Sequence, residues 1–234
     1  MLKLVIVEQI ITRTVEMICL HHLENSRSLR ILWALEELGL DYEVKFYKRL
    51  ANFAAPPELR NIHPLGKAPV LTDQQFTIAE SAAILEYLQE QYDQQGQFKP
   101  EDPAQKLQYR YWLHYAEGSL MPLLLMTFVM NEVPKKLPDI IQNVADKVID
   151  GIKQSFIGPR LKEHLEHLEE YLAQHEYFAG EFSFADIQMS FALQALTARF
   201  GNEYGNIQAY VKRIEAREAY QRAKLKDQQL NQQA

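Results

Sequence analysis

The 234-residue chain carries 25 Lys and Arg against 31 Asp and Glu, a net charge of −6, with 47% apolar and 11% aromatic residues. That composition supports a packed core, argues against disorder, and lacks the clustered Lys/Arg stripe expected of a nucleic-acid or anionic-membrane surface. Cys19 is the single cysteine, which rules out an internal disulfide, a CxxC redox pair and a thiolate zinc site and fits a reducing, cytoplasmic setting.

Residues 1–16, MLKLVIVEQIITRTVE, show neither the unbroken apolar run nor the small-residue cleavage site of a secretory signal. They read as an N-terminal extension to a domain that opens at Met17. ICLHH, at 18–22, predicts a short apolar strand, and LENS a polar break after it. Leu29, Leu32, Trp33, Leu35 and Leu38 recur at helical spacing, which predicts a helix from Arg27 to Leu38, stopped by a left-handed cap at Gly39. In DYEVKFY, Tyr42, Val44 and Phe46 alternate with Glu43, Lys45 and Tyr47, the period of a half-buried strand. Strand, helix and strand in that order pair their strands in parallel through a right-handed crossover.

Residues 48–66 are dense in turn signals and hold a short helical piece, PPELRNI, which predicts a lid-like connection. In HPLGKAPVL, Pro69 stands at the start of an apolar run, where it can donate no ladder hydrogen bond. APVLTD and FTIAE then form a hairpin, and SAAILEYLQEQY a helix with Ile84, Leu85, Leu88 and Tyr92 on one side. The order over 17–93 is βαβαββα, that of a thioredoxin-like α/β domain. Residues 94–103 are polar and Pro/Gly-bearing, as a linker is. From 104 to 234 the periodicity is helical, with helices predicted at 104–132, 139–175, 184–199 and 207–226, so an all-α bundle is the second domain. Its most apolar run, MPLLLMTFVM, is shorter than the roughly 20 residues of a membrane span, and no membrane is expected.

Three places carry chemistry. In the thioredoxin arrangement a cis proline precedes the third strand and leaves the neighbouring backbone free to pair with an extended peptide. Pro69 fits that position, or else it merely opens an edge strand in a trans turn. Glu80 and Ser81 stand at a strand-to-helix junction, where free N–H groups attract a carboxylate and Glu80 can take an ammonium. The competing reading is plain capping by Ser81. Ser26 lies at the first strand-to-helix junction, where its hydroxyl can donate to a bound thiolate. Lowering a thiol pKa by about two units takes about 2.7 kcal/mol, within the roughly 1.5–3 kcal/mol of one hydrogen bond to a charged acceptor. N-capping competes for Ser26, although Asn25 can cap in its place, and Asn25 is the second candidate for the sulfur contact.

SRSLRILWALEELGLDYE, HPLGKAPVL, IAESAAILEYL and GEFSFADI together resemble the cytosolic glutathione transferases, over about Met17 to Gln229. YKR, ANF, APPEL, IHPLGK and HYAEGSLMP further resemble the fungal-type, yeast-like members that also occur in bacteria. The resemblance implies a homodimer that binds glutathione as co-substrate, without a metal, through Lys67, the backbone of Ala68, cis Pro69, Glu80 and Ser81. Against the serine-type pattern S-x-P-C-R, Ser26 aligns with the catalytic serine and Arg30 with the arginine, while Ser28 and Leu29 replace the Pro-Cys pair. Asn52, in the lid, is the candidate for the glycine end. The implied reaction is thiolate attack on a small hydrophobic electrophile, which Tyr115, Leu120, Met121 and Met126 would line unless they are bundle core. Glutathione-dependent peroxide or disulfide reduction, and a non-catalytic glutathione-binding or assembly protein, are the alternatives on the same fold.

Ser183 and Asp186 form a capping box before an apolar run and read as structural. His164 and His167, at i and i+3 beside carboxylates, lie opposite a leucine stripe and read as solvated surface. No metal is expected there or at His21 and His22, and Cys19 reads as a packed strand residue.

Overall fold

A computed structural model describes residues 17–200 and 203–233; the predicted extension, 1–16, lies outside the described residues. Strands β1 (Ile18–Leu23), β2 (Tyr42–Tyr47), β3 (Val70–Asp73) and β4 (Phe76–Ala79) form one sheet in the order β2-β1-β3-β4. β1 and β2 are parallel, joined through helix α1 (Ser28–Leu38), and the other two pairings are antiparallel. Gly39 closes α1 at φ 63°, the left-handed conformation its position predicted. Helix α2 (Ser81–Tyr92) follows β4 directly. The Ala68–Pro69 bond is cis, and β3 begins at the next residue, so the missing N–H of Pro69 falls outside the ladder.

The short helical piece expected at PPELRNI is present as a five-residue 3₁₀ helix, Pro57–Asn61. Only Leu59 in it is buried, which gives a longer helix no apolar face to anchor.

The helical part comprises α3 (Pro103–Tyr115), α4 (Met121–Glu132), α5 (Asp139–Ile152), α6 (Gly158–Gln174), α7 (Phe184–Phe200), α8 (Gly205–Glu215) and α9 (Glu218–Gln233). π-turns at Ala116–Leu120 and Lys153–Ile157 join α3 to α4 and α5 to α6. The helical stretch 103–136 is, by length and composition alone, long and apolar enough to cross a bilayer, contrary to the estimate from its most apolar run. Its Tyr109, Trp112, Leu113, Ala116 and Leu120 are buried in the bundle core.

The single helix predicted at 207–226 is broken at Ala216–Arg217. α8 buries Ile207, Tyr210, Val211 and Ile214 and packs on α6, whereas α9 buries Ala219, Tyr220 and Ala223 and packs on α1. Two partners in different directions require the turn.

Asp186 anchors the head of α7. Its carboxylate accepts from the Ser183 N–H (2.8 Å), the Ser183 hydroxyl (3.0 Å), the Phe178 N–H (3.0 Å) and the Tyr210 hydroxyl (2.6 Å). Burial pushes the carboxyl above its usual range while these donors pull it back. This is half of the expected capping box: the Asp186 side chain serves Ser183, but the Ser183 hydroxyl donates to Asp186 rather than capping a backbone N–H. Asp186→Ala leaves several buried donors without an acceptor and is expected to cost at least about 3 kcal/mol, against about 1 kcal/mol for Ser183→Ala. Equal urea midpoints for the two variants would contradict this.

Candidate active site

The sheet register gathers the predicted site residues at one end. β1 runs toward Leu23 and delivers Ser26 and the start of α1 at that end. His21 pairs with Val70, so Ala68–Pro69 lies beside the last residues of β1. Val70 pairs in turn with Ala79, which brings Glu80, Ser81 and the N-terminus of α2 to the same edge. Arg49 ties in the lid: its guanidinium donates to the carbonyls of Glu24 (2.8 Å), Asn25 (3.3 Å) and Phe53 (2.7 Å).

Glu80 is held at φ 71° and ψ 121°, a backbone conformation a side-chain-bearing residue rarely adopts. It occupies the N-cap position of α2 without a side-chain cap bond, which leaves the first-turn N–H groups of that helix uncapped by side chains. Ser81 is buried, and its Oγ accepts from Arg30 Nη1 at 3.1 Å, so its own hydrogen remains available to donate. Ser81 itself stands one residue inside the helix, past the N-cap position.

Arg30 is itself buried and pairs with Glu117 Oε1 at 2.6 Å. Burial pulls its guanidinium down to about 10, with Glu117 opposing. Arg30 Nε and Nη2 have no acceptor among the described residues.

Ser26 lies at the end of a polar chain. Its Oγ accepts from the Ser28 N–H at 3.2 Å and stands 2.6 Å from Ser28 Oγ. Ser28 Oγ also accepts from the Leu23 N–H (3.2 Å) and lies 2.8 Å from His22 Nδ1, while His22 Nε2 pairs with Asp227 Oδ1 at 2.9 Å. Ser26 therefore does cap α1 in part, with its remaining valence open. Asn25, at φ 46°, is exposed.

Asn52 is exposed and turns its Oδ1 back onto the Ala54 N–H (3.1 Å), and Lys67 is exposed beside Ala68. The expected electrophile lining is mostly core: Leu120 is wholly buried, Tyr115 and Met121 nearly so, and only Met126 is half-buried. His167 is exposed, as expected, and stacks on Trp112, whereas His164 is half-buried and its Nδ1 meets the Tyr115 hydroxyl at 2.5 Å. Burial raises the Cys19 thiol, which makes it a poor nucleophile.

His22, Ser28, Arg49, Glu117 and Asp227 belong to the site and went unremarked as such in the sequence. The one available signal was Ser28, which stands where the serine-type motif has proline.

Two family models match, the glutathione S-transferase N-terminal domain over residues 15–90 and the C-terminal domain over 158–218. Glutathione S-transferase 3 of Schizosaccharomyces pombe is 39% identical over 208 residues, covering 87% of this chain and 85% of that protein. The chain belongs to the glutathione S-transferase family.

A glutathione S-transferase from Actinobacillus pleuropneumoniae superposes with a TM-score of 0.73 at 34% identity, covering 91% of this chain and 93% of that one. A Pseudomonas putida glutathione transferase, solved with one glutathione disulfide per subunit, shares the fold at a TM-score of 0.70 and 24% identity, covering 90% of this chain and 92% of that one.

In this member of the family, α9 and the turn before it are tied to α1 and to the end of β1 by ion pairs. Besides Asp227 to His22, Arg222 meets Glu36 at 2.8 Å and Arg217 meets Glu37 at 2.6 Å. Burial acts to raise the Glu36 carboxyl, but its bonds to Tyr42 and Arg222 hold it below the usual range. Its folded pKa is thus depressed, so its stabilisation is complete above about pH 5 and is lost as pH falls through 4 and below. Glu36→Gln is expected to lower Tm at pH 7 and to match the parent by about pH 3. A Tm difference that stays constant with pH would refute the assignment.

Proposed function

We propose that the protein is a glutathione transferase that holds glutathione as thiolate and delivers it to a hydrophobic electrophile, in a reducing, cytoplasmic setting. The observation that carries this reading is the convergence at one sheet end of three features, each suited to a different part of the tripeptide. The uncapped start of α2, with the Ser81 hydroxyl freed by Arg30, suits the γ-glutamyl carboxylate, and the exposed Glu80 carboxylate suits its ammonium. The backbone of Ala68, beside Pro69, suits pairing with the peptide's main chain, as strand addition does. Ser26 suits the sulfur.

The electrophile would lie where the α3 face meets the head of α1. Arg27 and Arg30 both bond Glu117, so the exposed His114, three residues before it on the same helix face, borders the sulfur end. Pairing into a homodimer is part of the reading, with the exposed Leu107, Leu125 and Phe128 as the apolar face available to it. Sedimentation at the monomer mass would remove that element alone.

Ser26→Ala is expected to raise the apparent pKa of the bound thiol by about 1–2 units and to lower kcat ten- to hundredfold at neutral pH. Ser81→Ala is expected instead to raise KM for glutathione about tenfold with little change in that pKa. A thiol pKa that ignores Ser26→Ala would eliminate its role. Aryl halides tested beside hydroperoxides separate conjugation from reduction.

A further inference from the structure

The hydrogen-bonded chain behind Ser26 has two saturated arrangements, and they differ in what Ser26 offers to a ligand. The Asp227 carboxylate only accepts, so His22 Nε2 carries a hydrogen. With His22 neutral, Nδ1 is an acceptor: Ser28 donates to it, Ser26 donates to Ser28, and Ser26 presents a vacant lone pair outward. With Nδ1 protonated, the order reverses. His22 donates to Ser28, Ser28 donates to Ser26 in preference to the Leu23 carbonyl at 3.4 Å, and the Ser26 hydrogen points outward. In both arrangements the Leu23 N–H fills one acceptor site on Ser28 and the Ser28 N–H one on Ser26, so the outward lone pair of Ser26 is the one acceptor site left in the first arrangement and none is left in the second. A thiol needs the first arrangement and a thiolate needs the second.

We propose that Asp227, His22, Ser28 and Ser26 form a proton relay in which His22 is the terminal acceptor for the thiol proton of glutathione. The proposal rests on the transferase reading and deepens it, because it says where the proton goes. In the step, the S–H bond breaks and its proton passes to Ser26 Oγ. The Ser26 proton passes to Ser28 Oγ, and the Ser28 proton passes to His22 Nδ1, where a new N–H bond forms. Both hydroxyls end neutral, the sulfur is a thiolate that accepts from Ser26, and the imidazolium stands against Asp227. No oxidant or further reactant is needed.

The surroundings favour that charge distribution. An ordinary thiol and an ordinary imidazole differ by about two pK units, a hundredfold against transfer, and two charge-assisted contacts oppose this gap: Ser26 on the thiolate and Asp227 on the imidazolium. Asp227 and, behind it, Lys224 at 3.6 Å are the charged groups that α9 brings up, with Asn231 also donating to the carboxylate. α1 contributes the Ser28 hydroxyl and β2 the Phe46 ring, 5.8 Å from the imidazole. His22 is fully buried and Ser26 is 9% exposed, so the chain meets the site only at its Ser26 end. Burial acts to raise the Asp227 carboxyl, but the His22 bond holds it below the usual range, which keeps it ionised for this role.

The test follows His22 Nδ1 by imidazole nitrogen NMR in the full-length protein, assigned through its backbone connectivities. S-methylglutathione fills the same site with no thiol proton, and Nδ1 is expected to keep the shift of an unprotonated nitrogen. Glutathione is expected to move it to the protonated shift in step with thiolate absorbance. A pH-indicator dye is then expected to detect well under one proton released per thiolate formed. Asp227→Asn is expected to cut the thiolate fraction at neutral pH about tenfold. Thiolate formation with Nδ1 unmoved and one proton released would overturn the relay and leave the transferase reading standing. Failure of both ligands to bind would overturn that reading and the relay with it.

Discussion

Ile31, Leu32, Trp33, Ala34 and Leu35 follow one another around more than a full turn of α1, and all are essentially out of water. A helix apolar all round must be covered all round, and α1 is: β1 and α2 pack on it within the α/β part, and α7 and α9 pack on it from the bundle. The burial of this one helix holds the two parts of the chain together. It also fixes where the head of α1 points, because Arg27 and Arg30 leave that head toward Glu117 while Ser26 and Ser28 leave it toward β1 and α9. The polar chain of Ser26, Ser28 and His22 is thus assembled by the same packing that joins sheet to bundle.

Much of this was legible because it is local. Alternation in DYEVKFY, the leucine spacing after Arg27 and Gly39 at the end of the helix each report on a few neighbouring residues, and β2, α1 and its left-handed cap appear where they were expected. The positions of Ser26, Pro69 and Ser81 were readable for the same reason, since each marks a junction between elements. What a junction residue touches is another matter. His22 and Asp227 are 205 positions apart, and no periodicity relates them; they meet because α9 turns away from α8 to reach α1. Apolar character misled in the opposite way. Leu120 and Met121 have the composition of an adaptable pocket, and the same composition serves a bundle core, which is where they lie. The 3₁₀ turn at Pro57–Asn61 shows the limit of local propensity when only Leu59 has something to pack against.

Buried charged groups are poor evidence for stability, because desolvation offsets much of what pairing returns. Two buried pairs nevertheless sit at the seam between sheet and bundle, the ionic Arg30 with Glu117 and the hydrogen-bonded His22 with Asp227. Each leads through serine to a different end of the site. Arg30 reaches Ser81 at the start of α2, and His22 reaches Ser26 through Ser28 at the start of α1. A guanidinium stays charged at any physiological pH even when burial lowers it to about 10, so Arg30 places a fixed positive charge behind Ser81. In the proposed glutathione complex the two serines occupy equivalent places: each stands between a buried group and the ligand, and passes on the effect of that group as the orientation of a single hydroxyl hydrogen.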